Sequence, residues 1–225
     1  MRRRVMMGKE QYKLDEHTLL LLHFDRNIED YSKYKRKSIR SQGILYTQGK
    51  FGTSLVIDSI ADYILYDQSW FVKLFNSRVY TIDFWAKNFH NGPEEGNPYW
   101  AHYFGIDDAS VRTFNGRCRW GYIFEYGSYN NLILYEPIYE LRHNTNWNHF
   151  AVVSDGSNVS LFFNGVKKAS SPIKYVSFCS ADFSIGGRSF SGDTPNVAKS
   201  HIDEFRVSDI ARWTSNFTPP TKPYV

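Results

Sequence analysis

The chain has 225 residues, of which 42% are hydrophobic and 17% aromatic, and its formal net charge is +4. This length and apolar content suit a single all-β domain with a sizeable core, since abundant Tyr and Phe favour strands over helices. The apolar run at residues 19–22 is too short to span a bilayer, so we expect no membrane insertion.

The basic charge is concentrated near the N-terminus, where residues 1–40 hold 11 of the 27 Lys and Arg and 6 of the 23 Asp and Glu. Residues 1–16 are polar and aperiodic, which predicts an N-terminal arm before a sandwich domain at residues 17–225. The arm either docks on an acidic protein or nucleic acid, or is a solvated terminus, which is the commoner case. Residues 1–9 lack the apolar core of a secretory signal, so we expect synthesis in a cytoplasm.

In the first half of the chain, apolar runs and period-two alternation predict strands at residues 18–24, 53–57, 63–66 and 79–88. Residues 31–41 carry five cations, which indicates an exposed loop or edge rather than a core strand. One helix is predicted at residues 68–76, because its apolar residues fall on one helical face. These are Trp70, Phe71, Leu74 and Phe75.

In the second half, strands are predicted at residues 99–106, 119–126, 131–135, 147–154, 158–163, 166–169, 181–185 and 199–207. Asp155-Gly156 and Asn164-Gly165 allow the positive φ angles of tight hairpins, and Asn115-Gly116 indicates a solvated hairpin. Strict alternation in the last strand places Ile202 on the opposite face from Phe205 and Val207. We expect this strand to pair with residues 18–24. Turn signals every 8 to 12 residues favour a sandwich.

Two cysteines, Cys118 and Cys179, are too few for a disulfide framework. They form either one bridge or two buried thiols. No feature of the sequence indicates an oxidising compartment, which favours the thiols.

The C-terminal stretch carries a family pattern: an Ile-Asp-Glu strand at 202–204, Arg-Val-Ser at 206–208, Ala-Arg-Trp at 211–213 and Phe-Thr-Pro-Pro at 217–220. Further motifs match in order at residues 20–25, 49–55, 80–85, and 147–153 with 161–165. The chain thereby resembles laminin-G-like, concanavalin A-like jelly-roll domains, which are common in bacteriophage virion proteins and bacterial surface proteins. The resemblance covers residues 18–224 and implies a sandwich of two antiparallel sheets.

Catalysis is not expected. The resemblance includes endoglucanases, which need paired carboxylates in a Glu-x-Asp-x-Glu arrangement, and that spacing is absent. Asp203 and Glu204 are adjacent, so on a regular strand their carboxylates point to opposite faces. No nucleophile-elbow pattern occurs either.

The resemblance implies a structural calcium ion, with Asp203 as a ligand. Asp25 is the second candidate, although Arg26 follows it where the family usually has Gly. Calcium takes carboxylate and carbonyl oxygens at strand ends. The alternative for Asp203 is a buried hydrogen bond to the backbone or a salt bridge.

Aromatic residues beside the loops are candidates for glycan binding, and these are Trp100, Tyr103, Trp120, Tyr122 and Tyr129. The alternative for each is the sandwich core, since strand aromatics usually pack inward. Trp85 and Trp147 are predicted as core residues, and nucleic-acid binding is not expected.

The resemblance implies a non-catalytic structural or adhesion component of a bacteriophage virion, either a capsid decoration or a tail or fibre accessory protein. Its expected partners are other virion proteins, further copies of itself in the particle, and a host-surface glycan. The alternative is a carbohydrate-binding module of a bacterial surface protein, for which a secretion signal would be expected.

Overall fold

The computed structural model describes residues 12–59, 61–88, 100–107, 114–119, 123–128, 131–141, 144–173, 182–187 and 200–225. The first strands are β1 (Thr18–Leu22), β2 (Arg40–Gln42), β3 (Leu45–Gln48), β4 (Thr53–Ile57) and β5 (Tyr63–Tyr66), followed by helix α1 (Gln68–Ser77). The middle strands are β6 (Val79–Asn88), β7 (Trp100–Asp107), β8 (Phe114–Arg119), β9 (Ile123–Ser128) and β10 (Asn131–Pro137), before a 3₁₀ turn at Tyr139–Leu141. The last strands are β11 (Asn148–Asp155), β12 (Asn158–Phe163), β13 (Val166–Pro172), β14 (Asp182–Gly186) and β15 (Ser200–Ser208).

The strands form two antiparallel sheets, which confirms the predicted jelly-roll sandwich. Sheet A has the order β13-β12-β11-β6-β15-β4-β3, with β1 also paired to β15. Sheet B has the order β10-β9-β8-β7-β14-β5-β2. The predicted pairing of the chain's two ends is confirmed, since Leu22 lies opposite Phe205 and Thr18 opposite Ser208. None of the described helices is long and apolar enough to cross a membrane.

Phenyl rings fill the space between the sheets. Phe84 of β6 stacks on Phe150 of β11, with the ring centroids 5.5 Å apart, and on Phe205 of β15 at 5.6 Å. Helix α1 begins at Asp67, whose carboxylate accepts a hydrogen bond from the backbone N–H of Ser69. It contributes Phe71, which stacks on Phe183 at 4.0 Å. The helix thus closes one side of the aromatic core.

Strand β15 contains a β-bulge. Its register against β6 shifts between Asp203 and Arg206, and Glu204 has a φ of 51°. The extra residue changes the phase of the strand, so Ile202, Phe205 and Val207 all reach the inter-sheet core. The prediction of opposite faces is therefore wrong for Ile202. On its other side, β15 pairs with β4 before the bulge and with β1 after it.

The outer face of sheet A is covered by residues 209–225, whose aromatic rings pack on Phe162 and His149. Beneath them, Arg206 forms a buried ion pair with Asp83, with Nε 3.0 Å from Oδ1. The Tyr224 hydroxyl donates to the same carboxylate. Burial alone would raise the pKa of Asp83, but Arg206 and His149 outweigh it and lower this pKa to about 2.

Residues 12–16 of the predicted arm also contact this face. Two oxygens of the Asp15 carboxylate accept hydrogen bonds from the buried Arg212 guanidinium, at 2.8 and 3.1 Å. The Tyr12 hydroxyl donates to the carbonyl of Thr218. The rest of the arm, residues 1–11, lies outside the described residues.

Several predicted elements differ from the structure. The predicted strand at 119–126 is replaced by β8 and β9, and Gly116 lies within β8 rather than in a solvated hairpin. A Cβ on Gly116 would approach the Phe104 ring to 2.3 Å, so the glycine makes room for that ring. Trp85 faces outward from sheet A, where Phe51 and His149 cover it, and it is not part of the inter-sheet core. Trp147 is only half-buried.

One of the two cysteines, Cys118, lies in the described part of the chain. Cys118 is a free thiol buried in the core, and this burial raises its pKa. Cys179 lies outside the described residues.

The Asp83–Arg206 pair predicts a large stability loss for Asp83→Asn, because the substitution leaves a buried guanidinium beside a neutral amide. We expect the free energy of unfolding to fall by about 3–5 kcal/mol in chemical denaturation. Glu140→Gln is the matched control, since the Glu140–Lys168 pair is exposed at the carboxylate. It should cost at most about 1 kcal/mol. Equal losses in the two variants would contradict the assignment.

Candidate functional site

The two candidate calcium ligands hold opposite ends of one turn, residues 49–53, between β3 and β4. Asp203 Oδ2 accepts a hydrogen bond from the backbone N–H of Phe51 at 2.9 Å. Asp25 Oδ1 accepts one from the backbone N–H of Thr53 at 2.8 Å. Gly49 and Gly52 allow this approach, because a Cβ on Gly52 would lie 2.1 Å from the Asp25 carboxylate. Each carboxylate therefore positions backbone.

A calcium ion takes six to eight oxygen ligands. Asp203 Oδ1 is one buried oxygen that has no hydrogen-bond partner. Among the described residues, no group of three or more His, Cys, Asp or Glu is placed to hold a metal ion. Asp203 thus takes the alternative that the sequence left open, a buried hydrogen bond to backbone, and calcium binding stays a prediction.

The second carboxylate of the bulge belongs to Glu204 and is also engaged. Glu204 Oε1 lies 2.7 Å from His23 Nδ1, and its Oε2 accepts a hydrogen bond from the backbone N–H of Tyr224 at 2.9 Å. Because of the bulge, both carboxylates contact segments outside the inter-sheet core, and the expectation of opposite faces is wrong. Glu204 is thereby engaged at both of its carboxylate oxygens.

Among the candidate glycan aromatics, Tyr103 is the one whose side chain lies within the described part of the chain, so glycan binding by the others stays a prediction. Tyr103 is fully buried between the sheets, with its ring centroid 5.0 Å from that of Phe84 and 5.4 Å from that of Phe150. Tyr103 is therefore a core residue, which was the alternative to glycan binding, and no surface ligand reaches its ring. Trp100 lies opposite Arg119 in the register of β7 and β8. Trp120, Tyr122 and Tyr129 lie outside the described residues.

A charged row crosses the outer face of sheet B. His102, Arg117 and Glu125 lie opposite one another on β7, β8 and β9, and Arg117 Nε donates to Glu125 Oε2 at 2.9 Å. Burial and the nearby guanidinium lower the pKa of His102 to about 3, so its ring is neutral at physiological pH. The row supplies one carboxylate, held by arginine. It lacks the second carboxylate that glycoside hydrolysis needs.

A groove of about 580 Å³ lies on one edge of the sandwich, beside β3. We call it the edge groove, and its lining residues are Arg26, Ile44, Leu45, Tyr46, Thr47, Gln48, Gly52 and Thr53. Strand β3 ends the pairing order of sheet A, and β2, which precedes it in the chain, ends that of sheet B. The groove therefore combines hydroxyl, amide and guanidinium groups with the exposed side chain of Leu45.

Local backbone geometry fixes the end of the edge groove. Arg26 has a φ of 58°, and its backbone N–H donates to Thr53 Oγ1 at 2.9 Å. The Thr53 hydroxyl in turn donates to the carbonyl of Phe24 at 2.7 Å. These bonds attach the segment after β1 to the turn before β4. The Arg26 side chain is thereby left exposed at the groove.

A rim of cations and aromatic rings precedes β2. The Arg36 guanidinium lies 4.3 Å from the Trp70 ring centroid and 4.8 Å from that of Tyr34, and its Nε donates to the carbonyl of Leu19. Lys33 lies 5.1 Å from the Tyr34 centroid. Tyr34 remains 43% exposed. Arg36 thus anchors the loop through cation–π contacts, while its lysines stay in solvent.

Sequence reasoning identified the charged loop but missed the edge groove. Strand β3 carries no alternation of apolar and polar residues, and β2 has three exposed residues. A different signal was present: residues 31–57 contain six basic and no acidic residues. Such a stretch indicates a surface rather than a core element.

The family model described as the concanavalin A-like lectin/glucanases superfamily matches residues 61–215. The chain belongs to this superfamily. The match spans β5 to the stretch after β15 and so includes strands of both sheets and the bulge, whereas β1 to β4 precede it. A comparison with curated protein sequences gives no match.

Solved structures share this superfamily fold at low sequence identity. The binding domain of Paraclostridial Mosquitocidal Protein 1 has a TM-score of 0.66 at 13% identity, as does the receptor binding domain of botulinum neurotoxin C/D mosaic serotype. A structure of botulinum neurotoxin type C, a toxin whose cell entry depends on interaction with two ganglioside molecules, has a TM-score of 0.64 at 12% identity. Each alignment covers 87% of this chain, and the chain spans about half the length of each of those structures.

The environment of Asp203 predicts a pH-dependent stability. Burial raises the pKa of this carboxyl to about 8, and the neighbouring Glu204 raises it further. The hydrogen bond from the N–H of Phe51 lowers this pKa but does not offset the rise. Between the unfolded pKa, about 4, and this value, the folded state holds a proton that the unfolded chain releases. The stabilisation is therefore present below pH 4 and is lost as the pH rises to 8.

Asp203→Asn removes this titration, so the wild type should lose stability relative to the variant between pH 4 and 8, by a few kcal/mol at most. Denaturant midpoints of both proteins at several pH values measure the difference. A constant difference across this range would show that Asp203 is ionised in the folded state at low pH.

Proposed function

We propose that this chain is a non-catalytic glycan-binding module, and that the edge groove is its binding site. The single observation that supports this function is the groove itself. It joins hydroxyl and amide groups suited to sugar hydroxyls with an apolar wall and an arginine, as small-ligand sites do. Membership of a superfamily of lectins and glucanases, in a sequence that lacks the Glu-x-Asp-x-Glu arrangement of the endoglucanases, is consistent with binding rather than hydrolysis.

The edge groove also suits a binding role physically. Its strand lies at the end of sheet A, so ligand contacts there do not disturb the inter-sheet core. The Arg26 and Gln48 side chains are exposed and are not part of the core. A ligand can therefore use them without a cost in packing.

Arg26→Ala combined with Gln48→Ala tests this site. On a glycan array, followed by calorimetric titration of the best ligand, we expect affinity to fall at least tenfold, which is about 1.4 kcal/mol. Arg78→Ala combined with Asn76→Ala is the matched control. Arg78 is also exposed and has a φ of 60°, close to that of Arg26. Absence of any glycan ligand, or equal losses in both variants, would refute the proposal.

The sequence resemblance to bacteriophage proteins extends the proposal to a place in a virion, as a capsid decoration or a tail or fibre accessory protein. Deletion of residues 1–11 tests their role as an anchor without removing the contacts of Tyr12 and Asp15. We expect purified particles to lose the truncated protein in mass spectrometry. Its unchanged incorporation would exclude this anchor.

A further inference from the structure

We infer that the glycan bound at this edge is anionic, a polysaccharide carrying sulfate or carboxylate groups that lies along residues 31–50. This inference rests on the proposed function and adds the ligand's charge class and a second contact surface. We call this surface the basic rim, formed by Lys33, Lys35, Lys37 and Arg40. All four residues are exposed.

The charge distribution carries the inference. Residues 31–57 hold six basic and no acidic residues, whereas the rest of the chain holds 21 basic and 23 acidic residues. The positive charge of the protein therefore lies on the segment that builds the sandwich edge: the rim, β2 and β3. An extended anion along this segment meets cations at the rim and Arg26 at the groove.

The acidic residues beside this edge all lie outside residues 31–57, and three of them accept hydrogen bonds from backbone N–H groups. Asp30 is buried and accepts hydrogen bonds from the N–H groups of Leu21, Ser32 and Arg36. Asp62 accepts from those of Asp58 and Ser59, and Asp25 from that of Thr53. Asp25, Glu29, Asp58 and Asp67 are the exposed carboxylates of the flanking segments, and Asp67 caps α1.

The side chains between the cations favour a polysaccharide over a nucleic acid. Strands β2 and β3 present Ser, Gln, Thr and Tyr, which hydrogen-bond to hydroxyl groups. Single-stranded nucleic acid binding uses a series of exposed rings on which successive bases stack. Here Tyr34 is exposed, whereas Arg36 covers the Trp70 ring at 4.3 Å.

The test compares dextran sulfate, carboxymethyl dextran and unmodified dextran as ligands of the full chain, at several salt concentrations. We expect the two anionic polymers to bind at least tenfold more tightly than the neutral one, with an affinity that falls as salt rises. Lys33→Glu combined with Lys37→Glu should reduce anionic binding at least tenfold. Lys13→Glu combined with Lys222→Glu changes the net charge equally at exposed positions outside the edge and should reduce it less than twofold.

Each of the other outcomes would contradict either the inference about charge or the proposed function. Equal losses in the two double variants would show that net charge alone attracts the polymer, and would overturn the inference. Neutral glycans bound in the edge groove, with no preference for anionic ones, would overturn the charge class while the proposed function stands. Tighter binding to duplex DNA or to phosphatidylserine vesicles, with the same variant sensitivity, would replace the polysaccharide with that ligand. Failure of every glycan would refute both.

Discussion

The β-bulge at Asp203 and Glu204 is the constraint on which the rest of sheet A depends. Strand β15 lies between β6 on one side and two shorter strands on the other, and it exchanges β4 for β1 where the bulge occurs. The two carboxylates at the bulge bind segments that lie next to the change from β4 to β1. Asp203 holds the turn after β3, and Glu204 holds His23 after β1 and Tyr224 of the C-terminal segment. One irregularity thus connects three segments that are distant in sequence.

Two buried acids on this face have pKa values shifted in opposite directions, because only one of them has a cationic partner. Asp83 and Asp203 both lie within sheet A and are fully buried. The pKa of Asp83 is lowered because Arg206 and His149 outweigh its burial, whereas that of Asp203 is raised because burial, with Glu204 adding to it, outweighs the backbone N–H groups that it accepts from. The first acid strengthens the attachment of the C-terminal segment. The second holds the turn at the edge groove.

The sequence predicted those elements whose side chains repeat with the period of the structure. Strand β6 alternates strictly, and helix α1 has one apolar face, so both were found within one or two residues of their bounds. Strands β2 and β3 were missed because edge strands carry polar residues on both faces and have no periodic pattern. The bulge was missed because Glu204 reads as an ordinary strand residue, and its positive φ follows from tertiary contacts.

The candidate site was predictable only in its chemistry. Asp203 was identified by resemblance, but its role as a backbone acceptor depends on the turn at residues 49–53, which lies 150 residues earlier. The environments of Tyr103 and Trp85 could not be predicted for the same reason, since each depends on which face of its sheet the side chain occupies. Outward-facing Trp85 is covered by a turn, while Tyr103 packs inward among phenyl rings.

Stability and recognition use different residues at this edge. Several acidic side chains near residues 31–57 fix loops by accepting backbone N–H groups; Asp30 and Asp62 do so in buried positions and Asp25 in an exposed one. The lysines of the same region have no such task, because an ammonium group cannot accept a hydrogen bond and the loops need acceptors for their free N–H groups. The positive edge follows from the sequence itself, since residues 31–57 contain six basic and no acidic residues. Its lysines are exposed, so a ligand that contacts them does not disturb the core.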